Sequence, residues 1–409
     1  VVQCFLVKSD AKYLEVAEEL GERLCREAIW SGDQCNWTGD SMEFIESRWQ
    51  VVNRLCGSEL YTGTGGIALF LIRLLSFSGQ NVFQKTAEGA INFALSQPPA
   101  GFGFYAGLTG IAYLLAEAGE VESALELLER VHQHGPGTSQ SFDVLSGSAG
   151  VIPVLLKLNA LYGKQFLLDA ALLHGDCLLQ AANRGNQEGE GWSWTTAPGL
   201  ATQDLTGFSH GTAGIAWALL ELYSQCKEPR FLHGAEEALR YERRWFDPEK
   251  ENWPDFRSFM ETGGPVYATA WCHGAPGIGL ARLRCYQLLQ DHECLTEAQA
   301  ALHTTSKALN AFIAGGEGNY SLCHGSCGNA ELLISAGDLL ADAESRNLVH
   351  QMADDALKKY HLGGNPWPCG VLNGGETPNL MLGLAGIGYF YLRLYDREHV
   401  PSVLMIGPE

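Results

Sequence analysis

Residues Ser321–Gly328 read SLCHGSCG and residues Trp271–Gly277 read WCHGAPG. Each sets a Cys-His pair directly before a Gly-x-x-Gly, and the glycine signal decides the fold. It recurs seven times, at Gly63-Gly66, Gly107-Gly110, Gly147-Gly150, Gly211-Gly214, Gly274-Gly277, Gly325-Gly328 and Gly383-Gly386. A small or apolar run follows each copy, such as IALFLIRLL after Gly66 or IGYFYLRL after Gly386. The first glycines lie 44, 40, 64, 63, 51 and 58 residues apart. A unit of roughly 40 residues with variable insertions fits a helical hairpin repeat.

Between the glycine signals lie more polar stretches: 81–96, 121–133, 165–183, 229–246, 293–313 and 343–360. Their apolar residues recur at three- and four-residue spacing, as in helices with one buried stripe. The runs after the glycines are apolar nearly all round and belong inside. The expectation is an all-α protein, a double-layer α/α toroid of about seven helical hairpins. The KYLEVAEELGERL pattern supplies the first outer helix over 12–29. Long turn-rich segments, 185–207, 247–270 and 363–380, should emerge at the rim where inner helices begin, and loops of that length are commonly functional. Residues 400–409 read as a short terminal extension.

Acidic residues outnumber basic ones 47 to 27, for a net charge of −20. That excludes the basic footprint a nucleic-acid partner requires and argues against anionic membrane surfaces. No apolar run reaches the 18 or so residues of a membrane span, and no secretory signal is visible. The twelve cysteines are scattered, unlike a secreted disulfide scaffold, so a reducing cytoplasmic location is expected. The chain begins with Val, which suggests a piece excised from a longer polypeptide.

Aligned on the first glycine, the preceding residues are Thr62, Ala106, Ser146, His210, His273, His324 and Leu382. Three consecutive repeats place histidine there, and one position earlier stand Cys272 and Cys323. Equivalent positions on a closed toroid face a common axis, so these five side chains should converge at one mouth. Cys272, Cys323 and His324 offer the thiolate and imidazole donors that zinc takes in tetrahedral geometry, with the fourth position left for substrate or water. Cys327, one turn into the inner helix, reads as core. Cys369 is a weaker candidate for a fourth ligand that would make the site structural. His210 lies in the same register and suits a general acid or base. Asp143 could orient it, or equally cap the next inner helix. His273 is a proton donor, a neighbour of the metal ligands, or a packed side chain.

At FDVLSGSAG with Asp143, SHGTAG with His210, WCHGAPGIGLAR with Cys272 and LCHGSCGN with Cys323 and His324, the chain resembles the lanthionine synthetase C-like family of zinc-dependent peptide cyclases. AIWSGDQCNW near the start and LMLGLAGIGYFYLRLYD near the end resemble the carboxy-terminal cyclase domain of class II lanthipeptide synthetases. So does His273, since stand-alone cyclases often carry Tyr there. The resemblance spans nearly the whole chain and implies one domain over 1–409. Within it, outer and entry helices would occupy 1–60, the repeats 61–398 and a tail 399–409. It implies zinc on Cys272, Cys323 and His324, and a substrate that is a dehydrated precursor peptide. A peptide cysteine thiol would add to dehydroalanine or dehydrobutyrine, with His210 as proton donor and Asp143 supporting it. It also implies a dehydratase, in the same parent chain or as a partner. Two other readings stand beside it: addition of glutathione or another small thiol to dehydroamino acids, and a non-catalytic, zinc-stabilised peptide-binding toroid.

Overall fold

The computed structural model describes residues 11–46, 48–133, 135–136, 141–185, 189–257, 264 and 266–408. The chain opens with helix α1 (Ala11–Glu27), then two antiparallel hairpins, β1 (Ile29–Ser31) with β2 (Gln34–Asn36) and β3 (Thr38–Ile45) with β4 (Arg48–Leu55). Helix pairs follow: α2 (Thr64–Ser78) with α3 (Asn81–Ser96), α4 (Leu108–Glu117) with α5 (Val121–His132), and α6 (Ser148–Tyr162) with α7 (Gln165–Ala181). Next come α8 (Thr212–Cys226) with α9 (Pro229–Arg244), α10 (Ala275–Leu289) with α11 (His292–Ile313), and α12 (Ser326–Leu339) with α13 (Ala343–Ala356). The last inner helix, α14 (Leu384–Tyr395), packs on α1, so the first helix serves as outer partner to the last. The architecture is the expected α/α toroid, with even-numbered helices inside.

Each of the seven first glycines is the N-cap of an inner helix. The second glycines answer to close approach. A Cβ on Gly150 would overlap the carbonyl oxygen of Val144, and one on Gly328 that of Leu322. The chain doubles back tightly over each helix start, and a side chain there would force it open.

That tight turn leaves one residue per repeat extended toward its neighbour, and these residues form a closed ring of backbone hydrogen bonds. Tyr61 N–H donates to Tyr105 O (3.0 Å), Tyr105 to Leu145 (3.1 Å), Leu145 to Ser209 (3.3 Å) and Ser209 to Cys272 (3.1 Å). Cys272 donates to Cys323 (3.2 Å), Cys323 to Met381 (3.0 Å), and Met381 back to Tyr61 (3.0 Å). Every member stands two residues before its repeat's first glycine. Buried amides are satisfied without a sheet, and all seven repeats are locked to one axis.

Two expectations need correction. The entry region, expected to be helical to residue 60, is strand over most of 29–55. Met42, Phe44, Trp49, Val51 and Leu55 share one face of the second hairpin, and Phe44, Trp49 and Leu55 are more than half exposed. Asp40 Oδ2 on that face accepts from Gly375 N–H (2.8 Å), which ties the hairpin to the 363–380 rim loop. The carboxy-terminal segment is not a loose extension: Val400, Val403, Leu404 and Ile406 are buried. It fills the bore of the toroid beneath the ring, where Tyr105 Oη donates to Val403 O (2.7 Å) and Trp271 Nε1 to Leu404 O (3.2 Å). Of the expected ETGGP loop, 261–265, only Gly264 lies within the described residues. Among the described residues no helix is long and apolar enough to cross a membrane.

A buried hydrogen-bonded chain links the second and third repeats: Thr109 Oγ1 to His132 Nε2 (3.1 Å), His132 Nδ1 to His174 Nε2 (2.9 Å), and His174 Nδ1 to Ser148 Oγ (3.0 Å). Burial pulls His132 down to about 4, and burial with the neighbouring imidazole pulls His174 well below the usual range. The unfolded chain therefore binds protons here that the fold refuses. Stability is full above about pH 6.5 and is lost as pH falls toward 4, by about 3 kcal/mol through His132 alone. Denaturation midpoints measured from pH 7.5 to 4.5 should fall less steeply in His132→Gln than in the wild type. Parallel curves would show that the pair does not govern acid stability.

Candidate metal centre

The ring places its side chains around the axis, and two neighbouring members are Cys272 and Cys323. Their main chains are joined directly, Cys272 N–H to Cys323 O, so the sulfurs are held close by the scaffold. His324 follows in sequence, and its Nε2 lies 2.7 Å from Gly370 O in the rim loop. Donation from Nε2 leaves the Nδ1 lone pair for a metal, the usual way a ligand imidazole is oriented. The ligand atoms of Cys272, Cys323 and His324 all lie within 4.8 Å of one another. Tetrahedral zinc with two sulfur ligands separates them by about 3.8 Å, so the donor set and its spacing fit that ion. Cys323 is 4% exposed, Cys272 is half-buried and His324 is exposed, so the site faces the mouth.

Among the described residues no fourth His, Cys, Asp or Glu joins this group. Cys369, the candidate fourth ligand, instead makes a long contact to Thr377 O (4.0 Å), and burial pushes its thiol up to about 12. Cys327 is fully buried in α12, as expected of core. A second cluster, Cys285, Asp291 and Cys294, lies between α10 and α11. The Arg243 guanidinium stands 3.5 Å from Cys294 Sγ and 3.7 Å from Asp291, which opposes a dication there.

The expected dyad is present: His210 Nδ1 lies 2.6 Å from Asp143 Oδ2. The other carboxylate oxygen of Asp143 accepts from Ser146 N–H (2.8 Å) and Ser146 Oγ (3.0 Å). The carboxylate thus does both jobs the sequence left open, closing the turn before α6 and facing the imidazole. Burial works against the charged form of His210, but the hydrogen bond and charge of Asp143 outweigh it, and its pKa ends above the ordinary value. Thr196 Oγ1 holds the His210 carbonyl. Beneath, the buried Glu242 accepts from Gly207 N–H and Ala213 N–H (3.0 Å each) and pairs with the buried Arg282 (3.0 Å), fixing the turn that carries His210.

His273 is 1% exposed and neither ring nitrogen has a hydrogen-bond partner. Its ring stacks on His210 at 5.8 Å between centroids and 27° between planes. Burial, with the Arg257 charge, pulls its pKa to about 3, which favours the neutral ring.

Two participants escaped the sequence reading. Tyr61 Oη donates to Cys323 Sγ at 2.7 Å. The signal was available, because Tyr61 occupies the register of Cys272 and Cys323. Arg257, ion-paired with the buried Asp255, adds positive charge near Cys272, Cys323, His210 and His273. It sits in a rim loop outside the repeat register, where nothing in the sequence marks it.

The chain is similar to several known proteins. A Lactococcus lactis lacticin 481/lactococcin biosynthesis protein is 24% identical over 92% of this chain, and the chain spans 40% of that protein's length. A glutathione S-transferase LANCL1 of Danio rerio is 24% identical over 66% of the chain and 67% of its own length. Among solved structures, nisin cyclase matches with a TM-score of 0.63 at 17% identity, over 84% of this chain and 89% of its own. A GH76 α-mannanase of Bacteroides thetaiotaomicron matches at 0.54 and 13% identity, over 95% and 96%. The mannanase shares the toroid alone, which shows that the fold by itself does not specify chemistry. The family described as lanthionine synthetase C-like protein matches residues 56–405, from just before the first ring residue to the buried tail, and the chain belongs to that family.

Proposed function

We propose that this protein closes thioether rings in a dehydrated precursor peptide, adding a peptide cysteine thiol to dehydroalanine or dehydrobutyrine. The observation that carries the reading is the convergence of Cys272, Cys323 and His324 at one mouth, in a chain related to a lacticin 481 biosynthesis protein. Zinc held by these three residues would act as a Lewis acid that ionises the substrate thiol near neutral pH. The sulfur attacks the alkene β-carbon, and the π electrons move onto the carbonyl as an enolate. His210, held through Nδ1 by Asp143, offers the proton on Nε2 to Cα, which completes the addition, and the proton released by the thiol returns through solvent to restore the imidazolium. His273 fixes the plane of that ring by packing beneath it. The substrate is made by dehydration of serine and threonine, so a dehydratase must act first, in the same parent chain or as a partner. The ligands would serve as thiolates, which favours a reducing compartment such as the cytoplasm.

Addition of a small thiol is the second reading, favoured by the relation to a protein named for glutathione transfer. The two separate by mass. Zinc-loaded protein is given a dehydrated peptide with and without glutathione, and remaining thiols are counted by alkylation and mass spectrometry. Ring closure removes one alkylable thiol per ring without changing peptide mass. Small-thiol transfer adds one glutathione and leaves the peptide thiols free. Unchanged thiols and no adduct would defeat both. A purely structural zinc site finds little support, since no fourth protein ligand joins the three among the described residues.

A further inference from the structure

We propose that Tyr61 is a positioning residue for the metal centre, holding one lone pair of the Cys323 sulfur by a hydrogen bond and limiting the charge that sulfur passes to the metal. The inference rests on the zinc reading above and extends it to a residue from the first repeat, two places round the ring from Cys323. Tyr61 Oη lies 2.7 Å from Cys323 Sγ, a short, direct contact with the hydroxyl donating. The register makes the contact reproducible. Tyr61 and Cys323 are both ring members, and only Met381 separates them, bonded to each through the main chain.

The Tyr61 phenol donates to the Cys323 sulfur, and the Cys272 sulfur lies within 4.8 Å of it. Metal binding requires Cys272 to lose its proton, which leaves the phenol as the donor that persists. A phenol at ordinary pH keeps its proton and can give it to nothing but an acceptor. The tyrosine is not there simply as a ring lining: Tyr105, in the same register one repeat on, turns its hydroxyl away to Val403 O in the tail. Two thiolates are strong donors that blunt a metal's Lewis acidity. A hydrogen bond to one of them withdraws charge, so more of the metal's pull remains for the incoming substrate thiol. It also fixes the rotamer of Cys323, as partners of metal ligands commonly do.

The test uses Tyr61→Phe, which keeps the ring and loses the hydroxyl, in the full chain loaded with cobalt(II) or zinc. The thiolate-to-cobalt charge-transfer band should move to lower energy in the variant, as expected of a more strongly donating sulfur. Zinc affinity, measured by competition with a chromophoric chelator, should fall by about 10–100-fold, because release of the Cys323 rotamer outweighs the stronger donation of its sulfur. The band arises only from an assembled site, so its presence also reports that the variant is folded. A band and an affinity both unchanged would overturn the role of Tyr61 and leave the metal reading standing. A wild-type protein that shows no thiolate band at all would remove the metal reading, and this inference with it.

Discussion

Cys272→Ala protein is expected to keep its helices yet retain no stoichiometric zinc, and to close rings on the order of 10³-fold more slowly than the wild type. The reason lies in the division of labour at residue 272. Its backbone N–H and C=O are links of the ring, to Cys323 and from Ser209, and alanine supplies both. Its side chain is one of three converging donors, and two remaining ligands, one of them an exposed histidine, cannot hold the ion tightly. Fold and metal should therefore separate cleanly. The measurement is metal content by elemental analysis beside alkylable thiols in a dehydrated peptide. Undiminished ring closure by a zinc-free variant would sink the proposed mechanism.

His210→Asn should do the opposite: zinc retained, turnover reduced by about 10²–10⁴-fold, as expected for the loss of a general acid. Its companion, Asp143→Asn, tests the assignment through pH. The pKa of His210 is raised by the Asp143 carboxylate against the effect of burial, and the protonated form is the donor. Donor activity is therefore present below that raised pKa and lost as pH rises through it. Without the carboxylate the largest influences that oppose burial are lost, and the basic limb of the rate profile should move to lower pH. A limb that stays in place would mean that another group delivers the proton.

The parts of this molecule that could be read in advance are those that repeat. Seven glycine pairs announced seven inner helices, and the equivalence of positions before them brought Cys272, Cys323 and His324 together on paper. The same equivalence would have named Tyr61, had the register been searched for donors as well as for ligands. What escaped has no periodic partner. The hairpins over 29–55 expose both faces for much of their length, so no buried side imposes a strict alternation on their residues. The tail 400–408 is too short to show a period, and its burial follows from a bore that only the assembled toroid creates. Cys369 looked like a ligand because it lies in a rim loop beside Gly370. That glycine's carbonyl, and not the neighbouring thiol, meets His324.

The closed circuit of main-chain bonds also sets a gauge. Seven links at the usual interstrand distance of about 4.8 Å make a hoop roughly 34 Å round and about 11 Å across, Cα to Cα. Two tyrosines, two cysteines, a methionine, a leucine and a serine share that opening, with Trp271 and the buried tail beneath them. No peptide can thread such a hoop. On the proposed reaction, a substrate chain would come and go on the open side, presenting each thiol and its alkene as a bight laid over the mouth. Successive rings would then form by the chain sliding across a fixed point, with its two ends always on the same side of the protein.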